Sequence, residues 1–155
     1  MDGIRTAARA ALALACAASI GFAASPATAL PQSLRSDEDL RDVAEAFLSA
    51  MVANEIAEAY RSVGRYWSEG GSELAAQIAG AEAERKRLRA TIGLSLGWER
   101  VRRDEAAKRV VRLVYLERFD EGAVVWQLVF YRADASWQLV SLESSQDLGL
   151  LFDGR

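Results

Sequence analysis

Residues 109–143 read RVVRLVYLERFDEGAVVWQLVFYRADASWQLVSLE, and this stretch decides the fold. It holds three runs dense in Val, Trp, Phe and Tyr, residues that suit a pleated, half-buried surface. Asp120-Glu121-Gly122 and Ala133-Asp134-Ala135 separate them. Connections this short join antiparallel neighbours, so strands over 109–119, 124–132 and 136–143 form a meander. In the first run Val111, Leu113, Tyr115 and Phe119 share one face, with Arg112 and Arg118 opposite. In the second, Val124, Trp126, Leu128 and Phe130 form the heavier face. A further strand over 98–103 precedes them, after Gly97.

Upstream the apolar period changes from two to between three and four. Ser36 is a good N-cap with Asp39 three residues on, and Asp37 and Glu38 favour the positive end of a helix. Leu40, Val43, Phe47, Leu48 and Met51 then mark one apolar face, and the pattern breaks at Asn54. A second helix resumes near Glu55 with Ile56, Ala59, Tyr60 and Val63 inward, and is expected to run past Gly64 to about Trp67. Gly70 and Gly71 make a turn, and Ser72 caps a third helix whose buried side is Leu74, Ile78, Ala81, Leu88 and Ile92. Its charged middle, 82–89, reads as a solvated surface with Glu82 and Lys86 four apart; a patch for an anionic partner is the other reading. The lead-in 30–35 is kept non-helical by Pro31. At the other end Leu148, Leu150, Leu151 and Phe152 are expected to pack back on the body. Helices followed by a run of strands make an α+β chain: three N-terminal helices packed on a curved antiparallel sheet of about four strands.

Residues 1–29 read as a cleavable secretory signal peptide. Arg5 and Arg9 give a basic start, residues 10–24 are apolar and uncharged, and Ala27-Thr28-Ala29 supplies a small-residue cleavage site before Leu30. The apolar run falls short of the roughly 20 residues that span a bilayer. The arginines are not adjacent, which favours the general secretory route over the twin-arginine one. Cys16, the one cysteine, has Ala13 rather than leucine three residues before it, against a lipid-attachment site. The expected mature part, 30–155, is a single domain without cysteine, in the periplasm or secreted, with no stable membrane insertion after cleavage.

The composition excludes several chemistries. The sequence has no histidine, which removes imidazole bases, Ser-His-Asp triads and histidine-ligated metals. Losing Cys16 with the leader would remove thiolate chemistry and disulfides. No acidic loop has the spacing of a hard-cation site, so neither a metal nor a cofactor is expected. The formal net charge is −3 and changes little when Asp2, Arg5 and Arg9 leave, which together with export speaks against a nucleic-acid partner.

Three stretches carry a family resemblance. They are Ala44-Glu45-Ala46-Phe47-Leu48 with Asn54-Glu55-Ile56-Ala57-Glu58-Ala59-Tyr60, then Ile92-Gly93 before Trp98-Glu99-Arg100, and last Ser136-Trp137-Gln138-Leu139-Val140-Ser141. In that order they resemble the nuclear transport factor 2-like superfamily, which includes ketosteroid isomerase and many exported domains, over about 40–144. The resemblance implies a cone-like, cystatin-like wrapping of the sheet around the helices. It does not imply an activity, since such domains serve as enzymes, binding modules and dimerisation units.

The candidate ligand-binding residues are Trp98, Tyr115, Glu117, Trp126 and Phe130. The aromatic side chains, with Trp137, suit an apolar pocket or a plain core. Glu117 shares strand parity with Tyr115, so a carboxylate base beside a phenol donor is one reading. The other places Glu117 exposed beside Arg118, and Glu143 paired with an arginine. The basic cluster Arg100, Arg102, Arg103, Lys108, Arg109 and Arg112 opposes the acidic stretch 37–45 and suits self-association or a protein partner. A non-catalytic module for a small apolar ligand, a protein partner or a second copy is the reading preferred. A small isomerase or hydrolase with carboxylate and tyrosine acid–base chemistry is the alternative. Mass spectrometry of the exported protein is expected to find Leu30 at its amino terminus; an intact Met1 in that fraction would refute the leader. Chelator treatment is expected to leave the melting temperature unchanged, and a fall of several degrees would reveal a metal.

Overall fold

A computed structural model of the chain describes residue 30 and residues 32–67 and 73–152. The expected leader, Pro31, the Gly70-Gly71 turn and the Ser72 cap lie outside the described residues. Among those described, no helix is long and apolar enough to cross a membrane.

The first helix, α1 (Asp37–Val52), starts as its sequence dictates. The Asp39 backbone N–H donates to Ser36 Oγ at 3.1 Å, and the Ser36 N–H donates back to Asp39 Oδ2 at 2.8 Å. The N–H groups of Arg35 and Ser36 on that carboxylate hold Asp39 below its ordinary pKa. Leu40, Val43, Ala44, Phe47, Leu48 and Met51 are buried along one face. Asn54 takes a left-handed conformation (φ 63°), which its short polar side chain tolerates, and the chain reverses into α2 (Ile56–Gly64).

The expected continuation of α2 to Trp67 is not made. The helix stops at Gly64, because Tyr66 and Trp67 satisfy the sheet edge instead. The Leu139 N–H donates to the Tyr66 carbonyl at 2.8 Å, and Trp67 bridges Leu139. Leu34 does the same further along, accepting from the Trp137 N–H at 2.8 Å. An open edge is thereby covered.

The third helix, α3 (Leu74–Ile92), departs most from expectation. Its buried residues are Arg85 and Leu88; Leu74, Ile78, Ala81 and Ile92 are only half-buried. The charged run 82–89 is therefore not all solvated, since Arg85, the first of its three arginines, is buried.

Four strands follow: β1 (Ser95–Ala106), β2 (Val110–Phe119), β3 (Ala123–Arg132) and β4 (Trp137–Ser145). They form one antiparallel sheet in the order β1-β2-β3-β4, so the meander expected for three strands extends to all four. Register shifts between Ser95 and Gly97, Arg100 and Arg102, and Val129 and Phe130 interrupt the ladders; such bulges bend and twist a strand. β1 begins earlier and ends later than expected. Its turn into β2 uses Ala107 (φ 50°) and Lys108 (φ 55°), neither of them the Gly or Asn that marks such hairpins in a sequence.

The core lies between the helices and one face of the sheet. Val111, Leu113, Tyr115 and Phe119 of β2 and Val124, Trp126, Leu128 and Phe130 of β3 meet the buried face of α1 there. Phe47 stands edge-on to Trp126 at 5.2 Å. On the opposite face the short 3-10 turn Leu148–Leu151 packs on β3, held by Arg102, which donates to the Leu151 carbonyl at 2.6 Å and the Leu150 carbonyl at 3.3 Å. Leu148 and Phe152, expected to pack back, stay exposed.

Gly93 sets how α3 enters the sheet. Its φ is 87°, and a Cβ there would stand 2.5 Å from Asp120 Oδ2 and 2.7 Å from Asp120 Cβ. That same Asp120 oxygen accepts the Leu94 N–H at 2.6 Å, so the turn is locked just before Ser95. Gly93→Ala is expected to destabilise the protein by about 1–3 kcal/mol, the strain of a backbone region that only glycine adopts freely. Urea denaturation measures it, and an unchanged midpoint would contradict this account.

Candidate functional site

Period-two alternation carries Glu117 to the core face of β2, two residues from Tyr115 and two from Phe119. It is completely buried, as is nearly all of Arg85 opposite it. Helical spacing brings Arg85 there: Ala81, Arg85, Leu88 and Ile92 fall on one stripe of α3.

Three donors occupy the Glu117 carboxylate. Arg85 Nη1 donates to Oε1 at 2.8 Å, Ser95 Oγ to the same oxygen at 2.6 Å, and Trp126 Nε1 to Oε2 at 3.0 Å. The register pairs Glu117 with Trp98 on one side and Val124 on the other. Trp126 is the diagonal neighbour, within reach of a long aromatic side chain. Arg85 Nη2 donates to the Met51 carbonyl at 2.8 Å, near the end of α1, where a cation complements the helix dipole. The guanidinium also lies 5.3 Å from the centre of the Phe119 ring. One arginine thus ties α3 to α1 and to the sheet. Its Nε–H has no acceptor among the described residues.

A cleft of about 220 Å³ opens beside this cluster, between α2, α3 and the sheet. Met51, Tyr60, Ala81, Arg85, Leu88 and Trp126 are among its walls, with Glu84 and Ser144 at its margin. Tyr60 packs edge-on against Phe47 at 5.5 Å. Burial raises the pKa of its phenol, against the opposing pull of the nearby Arg85 charge. Glu84 is engaged by Arg87, whose hydrogen bonds hold its carboxyl below the ordinary range. A larger groove of about 630 Å³ between α2 and α3 is lined by charges of both signs, among them Glu55, Arg61, Glu82, Lys86 and Arg89.

The five residues singled out from the sequence all lie on the helix-facing side of the sheet. Trp126 and Glu117 are hydrogen-bonded to each other, and Trp126 alone of the five reaches the 220 Å³ cleft. Trp98 is half-buried at the margin of the core; it stacks edge-on to Tyr115 at 5.6 Å and donates from Nε1 to Ser49 Oγ at 3.2 Å. The Tyr115 hydroxyl is buried with no partner among the described residues. Its pKa is pushed far up by burial, with Glu45 adding to the effect. Phe130 is enclosed in the core. The picture of Glu117 exposed beside Arg118 is wrong: Arg118 faces outward and Glu117 inward. Among the described residues Glu143 pairs with no arginine; it is exposed and accepts from Ser141 Oγ at 2.8 Å.

Sequence reasoning missed Arg85, Tyr60 and Ser95 as members of one site. A signal for Arg85 was present, since it lies on the apolar stripe between Ala81 and Leu88. The supposed basic partner surface is partly consumed within the chain. Arg103 pairs with Asp37 at 2.9 Å, and Arg102 and Arg112 share Asp104 at 2.9 and 2.7 Å. No group of three or more Cys, Asp or Glu that could hold a metal occurs among the described residues.

Comparison with protein-family models, with curated proteins and with solved structures finds no match to this chain.

Removing one member of a buried ion pair leaves the other charge uncompensated. Arg85→Met is therefore expected to cost about 3–5 kcal/mol, and Arg85→Met combined with Glu117→Leu should recover most of that loss. A denaturant double-mutant cycle measures this. A double variant as unstable as Arg85→Met would show that the pair is not the coupled unit described.

Proposed function

We propose that this is a non-catalytic binding module of the cell envelope, exported by its leader to the periplasm or beyond, that holds a small apolar ligand in the cleft between α2, α3 and the sheet. The fold we propose for it is the nuclear transport factor 2-like cone. Three helices ahead of a bulged antiparallel meander, with α1 lying across one sheet face, support that placement.

The observation that carries the functional reading is the enclosure of Glu117. A general base must reach the proton it removes. This carboxylate is paired with Arg85, accepts from Ser95 and Trp126 as well, and is wholly buried. The acid–base alternative therefore has less support than binding. The cleft next to it has the make-up of a ligand site: mostly apolar walls with a few placed polar groups. A protein-interaction role has less support too, because Arg103 and Asp37, from the opposed basic and acidic stretches, already pair with each other.

Titration with ethylbenzene, followed by the NMR signals of the four tryptophan indole N–H groups, tests the reading. The Trp126 signal, assigned with Trp126→Phe, is expected to shift in a saturable manner. A bulky side chain at the wall, Ala81→Trp, should abolish the shift. No saturable change at Trp126 would overturn the assignment of the cleft.

A further inference from the structure

The two edges of the sheet differ. The β4 edge is covered by Leu34 and Trp67. β1 forms the other edge, 12 residues long and bonded to β2 on one side. Among the described residues no backbone hydrogen bond reaches its other side. A long strand with a free row of N–H and C=O groups is a template for another strand. At its two bulges β2 leaves Leu96 and Val101 without a cross-strand partner, and both are exposed, at 58% and 40%. Leu94, just ahead of the strand, is exposed as well. Open backbone groups beside uncovered apolar side chains suit burial against a partner.

The charges along β1 say which partner. Residues opposite each other in a ladder share a face. Trp98, Arg100 and Arg103 pair with Glu117, Tyr115 and Leu113 and so lie on the helix side; Glu99, Arg102 and Asp104 pair with Leu116, Val114 and Arg112 and lie on the outer side. The bulge at Val101 reverses the parity between the two halves of the strand. Residues 97–100 of one copy can therefore run antiparallel to 102–106 of another with their faces matched. In one such register Glu99 stands opposite Arg102 and Trp98 opposite Arg103, and a two-fold axis makes each contact twice. Opposite charges across a strand pair attract, and so do a guanidinium and an indole ring. Arg100 then lies across from Val101, whose side chain its aliphatic stem covers. A shift of two residues would set Glu99 against Asp104 and Arg100 against Arg103, like charge on like.

We infer that two copies of this chain pair through their β1 edges in the first of these registers, joining their sheets into one. The inference is independent of the cleft and of any ligand in it. It uses the strand edge, which the Arg103–Asp37 pair leaves open.

Sedimentation of the exported protein at rising concentration, with hydrogen exchange of the β1 amides, tests this. A single strand pair is a small contact, so a reversible dimer is expected rather than an obligate one. The β1 amides should exchange more slowly at high concentration than at low. Val101→Lys places a charge on the open edge, and Glu99→Arg sets arginine against Arg102. Each is expected to weaken association by about tenfold or more. Val140→Lys, at an equally exposed position of β4, should leave association unchanged. All three positions are exposed, and circular dichroism checks that each variant folds. A chain still monomeric at about 1 mM, where even some 4 kcal/mol of binding would show, would overturn the inference. So would a dimer that survives Val101→Lys, one lost through Val140→Lys, or one whose β1 amides exchange as fast as the monomer's. Weakening by Val101→Lys but not by Glu99→Arg would overturn the register.

Discussion

One buried ion pair directs how α3 sits on the rest of the fold. This helix is 19 residues long and buries only Arg85 and Leu88, so it lacks the broad apolar stripe by which helices usually dock. A fully buried leucine contributes roughly 1.5–3 kcal/mol, a thin anchor for five turns of helix. Half-buried Ala81 and Ile92 add contact with the core, and Arg85 adds direction: one Nη to the Glu117 carboxylate on β2, the other to the Met51 carbonyl of α1. Greasy contacts are satisfied by many sliding and rolling positions. A guanidinium fork between a carboxylate and a carbonyl is satisfied by few. The pair thereby selects the position of α3, and with it the width of the cleft that α3 walls on one side.

The same pair explains what the sequence could and could not disclose. The strands were legible because β-branched and aromatic residues alternate with arginine over 109–143, and α1 because Ser36 and Asp39 announce its first turn while Leu40 to Met51 keep one face apolar. Those signals are local. Arg85 and Glu117 are 32 residues apart; Arg85 falls in a run that reads as a solvated surface, and Glu117 by itself reads equally as a pocket carboxylate or an exposed strand end. Only the coincidence of two periods, the helical stripe through Ala81, Arg85 and Leu88 and the strand parity through Tyr115, Glu117 and Phe119, places both inward. The β1–β2 turn stayed hidden for a different reason. Ala107 and Lys108 hold positive φ without the residues that prefer it, so the surrounding ladder imposes a conformation that the turn sequence does not advertise. The early end of α2 belongs to the same class, since the edge of β4 captures Tyr66 and Trp67 from outside the helix.

Of the candidate site, Glu117 and Trp126 were legible as inward-facing residues, but their relation was not. Sequence parity groups a carboxylate with aromatic rings and leaves open whether the rings form a pocket around it or donate to it. In the structure Trp126 does both: its indole N–H donates to Glu117 Oε2, and it forms part of the cleft wall. Tyr115, read from the sequence as a phenol that could donate to an oxyanion beside Glu117, stacks edge-on to Trp98 with its hydroxyl buried.

A buried carboxylate beside tyrosines first suggests acid–base chemistry, and the sequence alone favoured no other place for it, given the absence of histidine. The geometry reverses the roles. Paired with Arg85, bonded by Ser95 and Trp126 and wholly buried, Glu117 is poorly placed to take a proton from a ligand. Arg85 spends its fork on a carboxylate and a carbonyl, and its remaining Nε–H is closed off within the protein. It is thus a positioning residue: it directs where α3 lies, and through that the cleft that α3 walls on one side.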